Sequence, residues 1–129
     1  MKENENKKKE FRLSGKHLFL TYAKCAIPRE EVLAQIIEKL KKNNVENYVI
    51  STEKHKDESE HVHCYINLGT ACDIRDARKL DLEKEGKKYH GNYQTCRKYE
   101  NVQRYLIKEG LQNVLSNMTL TEEGKILSI

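Results

Sequence analysis

Apolar and polar residues alternate strictly along His61–Leu68 (HVHCYINL), the period of a strand whose two faces meet different surroundings. Val62, Cys64, Ile66 and Leu68 share one face and suit a core, while His61, His63, Tyr65 and Asn67 share the other. Lys16–Tyr22 (KHLFLTY) sets His17, Phe19 and Thr21 against Leu18, Leu20 and Tyr22; apolar residues on both faces mark a central strand. After Pro28 the period becomes helical, with Val32, Leu33, Ile36, Ile37 and Leu40 as a stripe, Glu30 and Glu31 at its start and Asn43 and Asn44 at its end. Val45–Glu53 is a strand by its β-branched and aromatic content. The polar connection Lys54–Glu60 makes it the antiparallel neighbour of His61–Leu68. Asp73–Leu80 reads as a short helix capped by Asp73, with Asp76 in its first turn, and Lys87–Cys96 as a strand with Tyr89, Gly91 and Tyr93 on one face. Lys98–Glu109 reads as a second long helix, striped by Tyr99, Val102 and Leu106 and stopped by Gly110. The expected order is therefore β-α-β-β-α-β-α.

The 129 residues suit one domain with a real core. Its bounds are expected at 13–117, after a charged, disordered tail over 1–12 and before a tail or linker over 118–129, where Thr121 offers one more helix cap. No apolar run approaches a membrane span, and the N-terminus lacks the apolar stretch of a signal peptide. Cys25, Cys64, Cys72 and Cys96 form no CxxC pair, which argues for free thiols in a reducing, intracellular compartment. The net charge of +4 permits contact with nucleic acid without requiring it. No GxxxxGK[ST] phosphate loop is present.

His61 and His63, two apart on one strand face, are within reach of a single divalent cation. A His-x-His pair is equally at home on a solvated strand face. Glu53, at the hairpin end close to His61, strengthens the metal reading, although its own strand face is ambiguous from sequence. On the last helix Tyr105 and Lys108 lie three apart and share a face. An adjacent cation stabilises a phenolate and sharpens it as a nucleophile, yet the same spacing serves an ordinary core tyrosine and a helix-terminal lysine.

Taken in order, these residues resemble the endonuclease domain of rolling-circle replication initiators, the HUH superfamily, in its geminivirus-like branch. Phe19–Cys25 (FLTYAKC) is similar to the first motif, with Ala23 in place of the usual proline. His61-Val62-His63 is similar to the metal-binding second motif, and Tyr105-Leu106-Ile107-Lys108 to the third, YxxK. Arg78–Gln94 resembles the segment ending in HxNxQ, here His90, Asn92 and Gln94. The resemblance covers about Lys16 to Gly110.

It implies an α+β fold, with a central antiparallel sheet of about five strands and helices packed mainly on one face. It also implies a metal-dependent endonuclease that nicks single-stranded origin DNA, forms a 5′-phosphotyrosine and rejoins strands. Tyr105 and Lys108 would be catalytic, and Glu53, His61 and His63 would hold the metal, with Glu109 a further candidate ligand. The ligand set alone would favour zinc; the resemblance shifts the expectation to Mg²⁺ or Mn²⁺. The expected partners are single-stranded DNA and an origin hairpin. Lys16, Thr21, Tyr65, Arg78, Lys88, His90, Asn92, Gln94, Arg97 and Arg104 are expected to contact the DNA, with Tyr65 as an exposed stacking aromatic. Oligomerisation would use regions outside this domain, and the location would be the host nucleus for a eukaryotic virus. Two other readings stand beside this one: a non-catalytic single-strand-binding or RNA-binding module, and a metal-dependent nuclease in which water attacks.

Overall fold

The computed structural model describes residues 10–120 and 126–127. The disorder expected of the N-terminal tail and the cap expected at Thr121 lie outside the described residues.

Five strands form one antiparallel sheet in the order β6-β1-β3-β2-β7. They are β1 (Leu13–Tyr22), β2 (Val45–Lys54), β3 (Glu60–Ile74), β6 (Asn92–Thr95) and β7 (Val114–Ser116). The alternating strand found in the sequence is the middle one. On one side β3 pairs with β1, matching Thr21 with His63 and Phe19 with Tyr65. On the other it pairs with β2, matching Ser51 with His63 and Glu53 with His61. Glu53 is thus directly opposite a histidine, and its ambiguous strand face is resolved.

Helix α1 (Arg29–Lys39) covers one face. Pro28 precedes it in an extended conformation, and its carbonyl accepts the first helical hydrogen bonds from Glu31 and Val32, both at 3.0 Å. At the far end Leu40 O accepts from Asn43 and Asn44, the latter at positive φ of 63°, where an asparagine is tolerated. Val32, Ile36 and Leu40 are buried against Leu18, Leu20, Tyr22, Val62, Cys64, Ile66 and Leu68. Each such burial is worth about 1.5–3 kcal/mol. The stripe is narrower than the sequence implied, since Ile37 is 43% exposed.

Helix α2 (Tyr99–Leu106) lies over the opposite face with a smaller cluster in which Leu106 and Ile107 pack on Val49 and Tyr65. It lies within the connection from β6 to β7, the two outermost strands, and packs chiefly over β3 and β2. The fold is α+β around a five-stranded antiparallel sheet, with the longer helix and larger core on one face and the shorter helix on the other.

Three local expectations differ from the structure. Asp73–Leu80 is not a helix: β3 runs on to Ile74, paired with Leu13, and the Asp73 carboxylate binds Arg12 instead of capping. Asp76 does cap, but only a turn, accepting from Arg78 N at 2.9 Å. Lys87–Cys96 is two strands rather than one. β5 (Lys87–Tyr89) forms a hairpin with β4 (Leu82–Lys84) through Glu85 and Gly86, both at positive φ (52° and 83°), the geometry of a tight two-residue turn. The chain then passes Gly91, where any Cβ would stand 2.7 Å from the Thr21 carbonyl oxygen, and starts afresh as β6. Finally, the expected order β-α-β-β-α-β-α lacks β7, the fifth sheet strand, beyond which β8 (Thr119–Leu120) pairs with β9 (Ile126–Leu127). Among the described residues no helix is long and apolar enough to cross a membrane. All four cysteines are free.

Candidate active site

The site lies on the face of β3 that carries His61, His63 and Tyr65. His63 is nearly buried, between Thr21 on one neighbouring strand and Ser51 on the other. Its Nε2 lies 3.0 Å from Glu53 Oε1. A carboxylate only accepts, so Nε2 carries the hydrogen and Nδ1 is left to accept from the Thr21 hydroxyl at 3.4 Å. Burial pushes the His63 pKa down, and the nearby carboxylate only partly offsets it; the imidazole is neutral at neutral pH. Burial also works against the charge on Glu53, but hydrogen bonds from His63 and Lys108 outweigh it and hold its carboxyl below the usual range.

Glu53 is the hub of the cluster. Its Oε2 lies 3.3 Å from Lys108 Nζ, and His55 Nε2 lies 3.8 Å from Oε1. The Lys108 ammonium is also 3.9 Å from the Tyr105 ring centroid. Burial opposes that charge, yet Tyr105 and Glu53 together raise the Lys108 pKa. Tyr105 is 40% exposed, its ring edge-on to His63 at 5.6 Å and to Phe19 at 6.5 Å. Lys108 lies just past the end of α2, in a turn that keeps the helical path through Lys108 N to Tyr105 O at 3.3 Å.

His61 is turned differently. Its ring stacks on His55 at 3.6 Å, and its Nε2 lies 3.4 Å from the Ser59 hydroxyl. Among the described residues no three His, Cys, Asp or Glu side chains stand close enough together to enclose an ion. The donor chemistry nevertheless fits a divalent cation. The Glu53–His63 separation is that of two neighbouring ligands on one ion with bonds of about 2.1 Å, and His61 shares their face, opposite Glu53 in register.

Tyr65 is a correction. It is 1% exposed because α2 lies on it, its hydroxyl is 2.7 Å from His17 Nδ1, and its ring is unavailable to a base. The HxNxQ residues divide. Asn92 pairs with Thr21 and Gln94 with Phe19, which brings both to the site face, exposed. His90 instead lies 2.6 Å from Asp81, a carboxylate also held by Tyr93 and Arg78, in a polar knot beside the larger core. Lys16, Lys88, Arg97 and Arg104 are exposed. The Glu109 side chain is exposed, and its carbonyl accepts from Gln112.

Sequence reasoning missed His55 and His17. His55 sits in a loop that pattern analysis treats as solvated. The His17 ring stacks on Tyr99 at 4.0 Å, a tie between β1 and α2 that no local signal announces.

The five-stranded antiparallel sheet, with a carboxylate–imidazole pair on its open face and a tyrosine–lysine pair hung over it, has the α+β architecture that the resemblance to HUH-superfamily initiators implies. Comparison with known proteins is more specific: the family described as the geminivirus Rep catalytic domain matches residues 11–119, and this chain belongs to it. The chain is 35% identical over 106 residues to the replication-associated protein of Cabbage leaf curl virus (isolate Jamaica), covering 79% of this chain and 30% of that protein. It is 36% identical over 104 residues to the replication-associated protein A of Tobacco yellow dwarf virus (strain Australia), covering 81% of this chain and 34% of that protein. The chain thus spans about a third of the length of these curated relatives.

Proposed function

We propose that this domain nicks a phosphodiester in single-stranded origin DNA, presented beside or within a hairpin, with Tyr105 as the nucleophile. The observation that carries the reading is the continuous chain of contacts Tyr105–Lys108–Glu53–His63, which ties an exposed phenol to a carboxylate–imidazole pair. Tyr105 Oη attacks phosphorus, the bond to the 3′ oxygen breaks, and a 3′-hydroxyl leaves while the 5′ side stays on the enzyme as a phosphotyrosine. One phosphodiester replaces another, so a free 3′-hydroxyl reverses the step and joins strands without ATP.

Lys108 supports the developing phenolate and the charge on the phosphoryl group. Glu53 and His63, with His61 turned in from His55, would hold Mg²⁺ or Mn²⁺. That ion would polarise a non-bridging phosphate oxygen when bound. Mn²⁺ tolerates imidazole better than Mg²⁺ does. Thr21 can face His63 Nδ1 as donor or acceptor, so it would hold the ring in either tautomer.

The test is incubation with single-stranded origin-like DNA and Mn²⁺, followed by a denaturing gel. A protein–DNA adduct that vanishes in Tyr105→Phe and in EDTA is the expected result. Cleavage without an adduct would sink the tyrosine mechanism in favour of attack by water. Binding without cleavage on every origin sequence would leave a plain binding module.

A further inference from the structure

Glu53 divides its two carboxylate oxygens between different kinds of partner. Oε2 faces the Lys108 ammonium at 3.3 Å, and that charge repels a second cation from this oxygen. Oε1 faces ring nitrogens instead: His63 Nε2 at 3.0 Å and His55 Nε2 at 3.8 Å. Two ligands on one ion with bonds of about 2.1 Å stand about 3.0 Å apart at a right angle and about 4.2 Å apart when opposed. Both separations from Oε1 fall within that span.

The backbone holds His55 on this side of the sheet. Its N–H donates to the Ser59 carbonyl at 2.8 Å, and its own carbonyl accepts from Glu58 N at 2.9 Å. The pairing of β2 with β3 thus runs one step past Lys54 and Glu60, and strand alternation gives His55 the face of Glu53. The side chain is 43% exposed, so core packing does not account for where it sits. Its ring lies against His61, 3.6 Å between centroids and 11° from parallel. As they stand, no three such side chains enclose an ion among the described residues. The exposed His55 ring has the room to turn inward that the nearly buried His63 lacks.

We propose that His55 Nε2 is a ligand of the divalent ion held by Glu53 Oε1 and His63, and that this added imidazole tilts the site toward Mn²⁺ over Mg²⁺. The proposal rests on the metal-dependent reading above and adds a ligand to it. Mg²⁺ prefers oxygen donors and gives up its water reluctantly, so a further imidazole gains it little. Mn²⁺ accepts imidazole better. The same geometry has one competing account, in which His55 only packs against the His61 ring.

The experiment uses this chain with ¹⁵N-labelled histidine, titrated without DNA with Zn²⁺ as a diamagnetic probe. The ring nitrogens of all five histidines are followed by long-range ¹H–¹⁵N NMR. Mn²⁺ and Mg²⁺ affinities are measured by calorimetry for the unaltered chain, His55→Ala and His55→Phe. Expected are ligation shifts at Nε2 of both His55 and His63. Both variants should bind Mn²⁺ at least about tenfold more weakly and Mg²⁺ within about twofold of the unaltered chain. Phenylalanine keeps a ring to stack on His61 but brings no donor, so it separates ligation from packing. Undiminished Mn²⁺ affinity in His55→Phe, or His63 nitrogens that shift while those of His55 do not, would overturn the assignment and leave Glu53 and His63 as ligands. No shift at either ring would remove the metal reading as well, and the adduct assay with EDTA would report on that reading independently.

Discussion

The row His61, His63, Tyr65 on one face of β3 has uniform spacing, yet its two ends live in different worlds. Tyr65 is 1% exposed under α2, while His61 sits half-exposed beside a loop and pairs with Glu53 across the hairpin. The strand does not make this difference; the helix above it does. At about 1.5 Å per residue, the 8 residues of α2 extend about 12 Å. The outer strands of a five-stranded sheet stand about 19 Å apart at ordinary spacing. A short helix therefore seals part of the face and leaves the rest uncovered. Alternation in sequence says which residues face together, and the length of the covering element says which become core and which become chemistry.

The contrast can be broken from either end. Tyr105→Phe is expected to lower strand cleavage by at least about 10³-fold while leaving urea-unfolding stability within about 0.5 kcal/mol, because the ring remains and only an exposed hydroxyl is lost. Tyr65→Ala should do the reverse, losing about 3–5 kcal/mol of stability in the same titration. The milder Tyr65→Phe removes the hydroxyl that meets His17 and should lose about 1 kcal/mol. If Tyr65→Ala unfolded no more easily than wild type, the sealed half would not be a core.

pH sharpens the same comparison. The native pKa of His63 is lowered from its model-peptide value of 6.5, so as pH falls through 6.5 the unfolded chain takes a proton before the native one does. Stability is full above that value and declines as pH falls below it. Glu53, also lowered, adds stability that is present above its ordinary 4.5 and fades below it. Thermal denaturation from pH 7.5 to 4 should therefore show a progressive loss starting near pH 6.5, with its upper part reduced in His63→Phe. A flat profile over pH 5–7 would contradict a neutral, buried His63. The smallest effects are expected in the HxNxQ segment: Gln94→Ala, on the exposed site face, should weaken single-strand binding severalfold with unchanged stability. His90→Ala, in contact with Asp81, should lower stability by about 1 kcal/mol and alter DNA affinity less.

The three long strands β1, β2 and β3 and the helix α1 were legible in the sequence because each carries a sustained apolar, β-branched or aromatic pattern. The pairing of Glu53 with His61 followed from the polar hairpin between them. What was not legible depended on partners distant in sequence. Asp73 looks like a helix cap until Arg12, sixty-one residues away, takes its carboxylate. Glu85–Gly86 carries a turn in an uncommon residue pair, so β5 and β6 read as one strand. Tyr65 looks exposed beside two histidines until α2 is laid on it. Of the residues expected to bind metal, spacing gave the shared face of His61 and His63, but not the present turn of His61 onto His55, which is set by a loop side chain.

The connection that carries α2 from one outer strand of the sheet to the other has a mechanical meaning. Tyr105 sits on a strap fastened at both ends, by β6 against β1 and by β7 against β2. A DNA strand joined to its oxygen and pulled by replication machinery would load both anchorages at once, in shear along paired backbone rather than by peeling one free end. On the cleavage reading proposed above, a domain joined to DNA at Tyr105 would be held through both outer strands of its sheet.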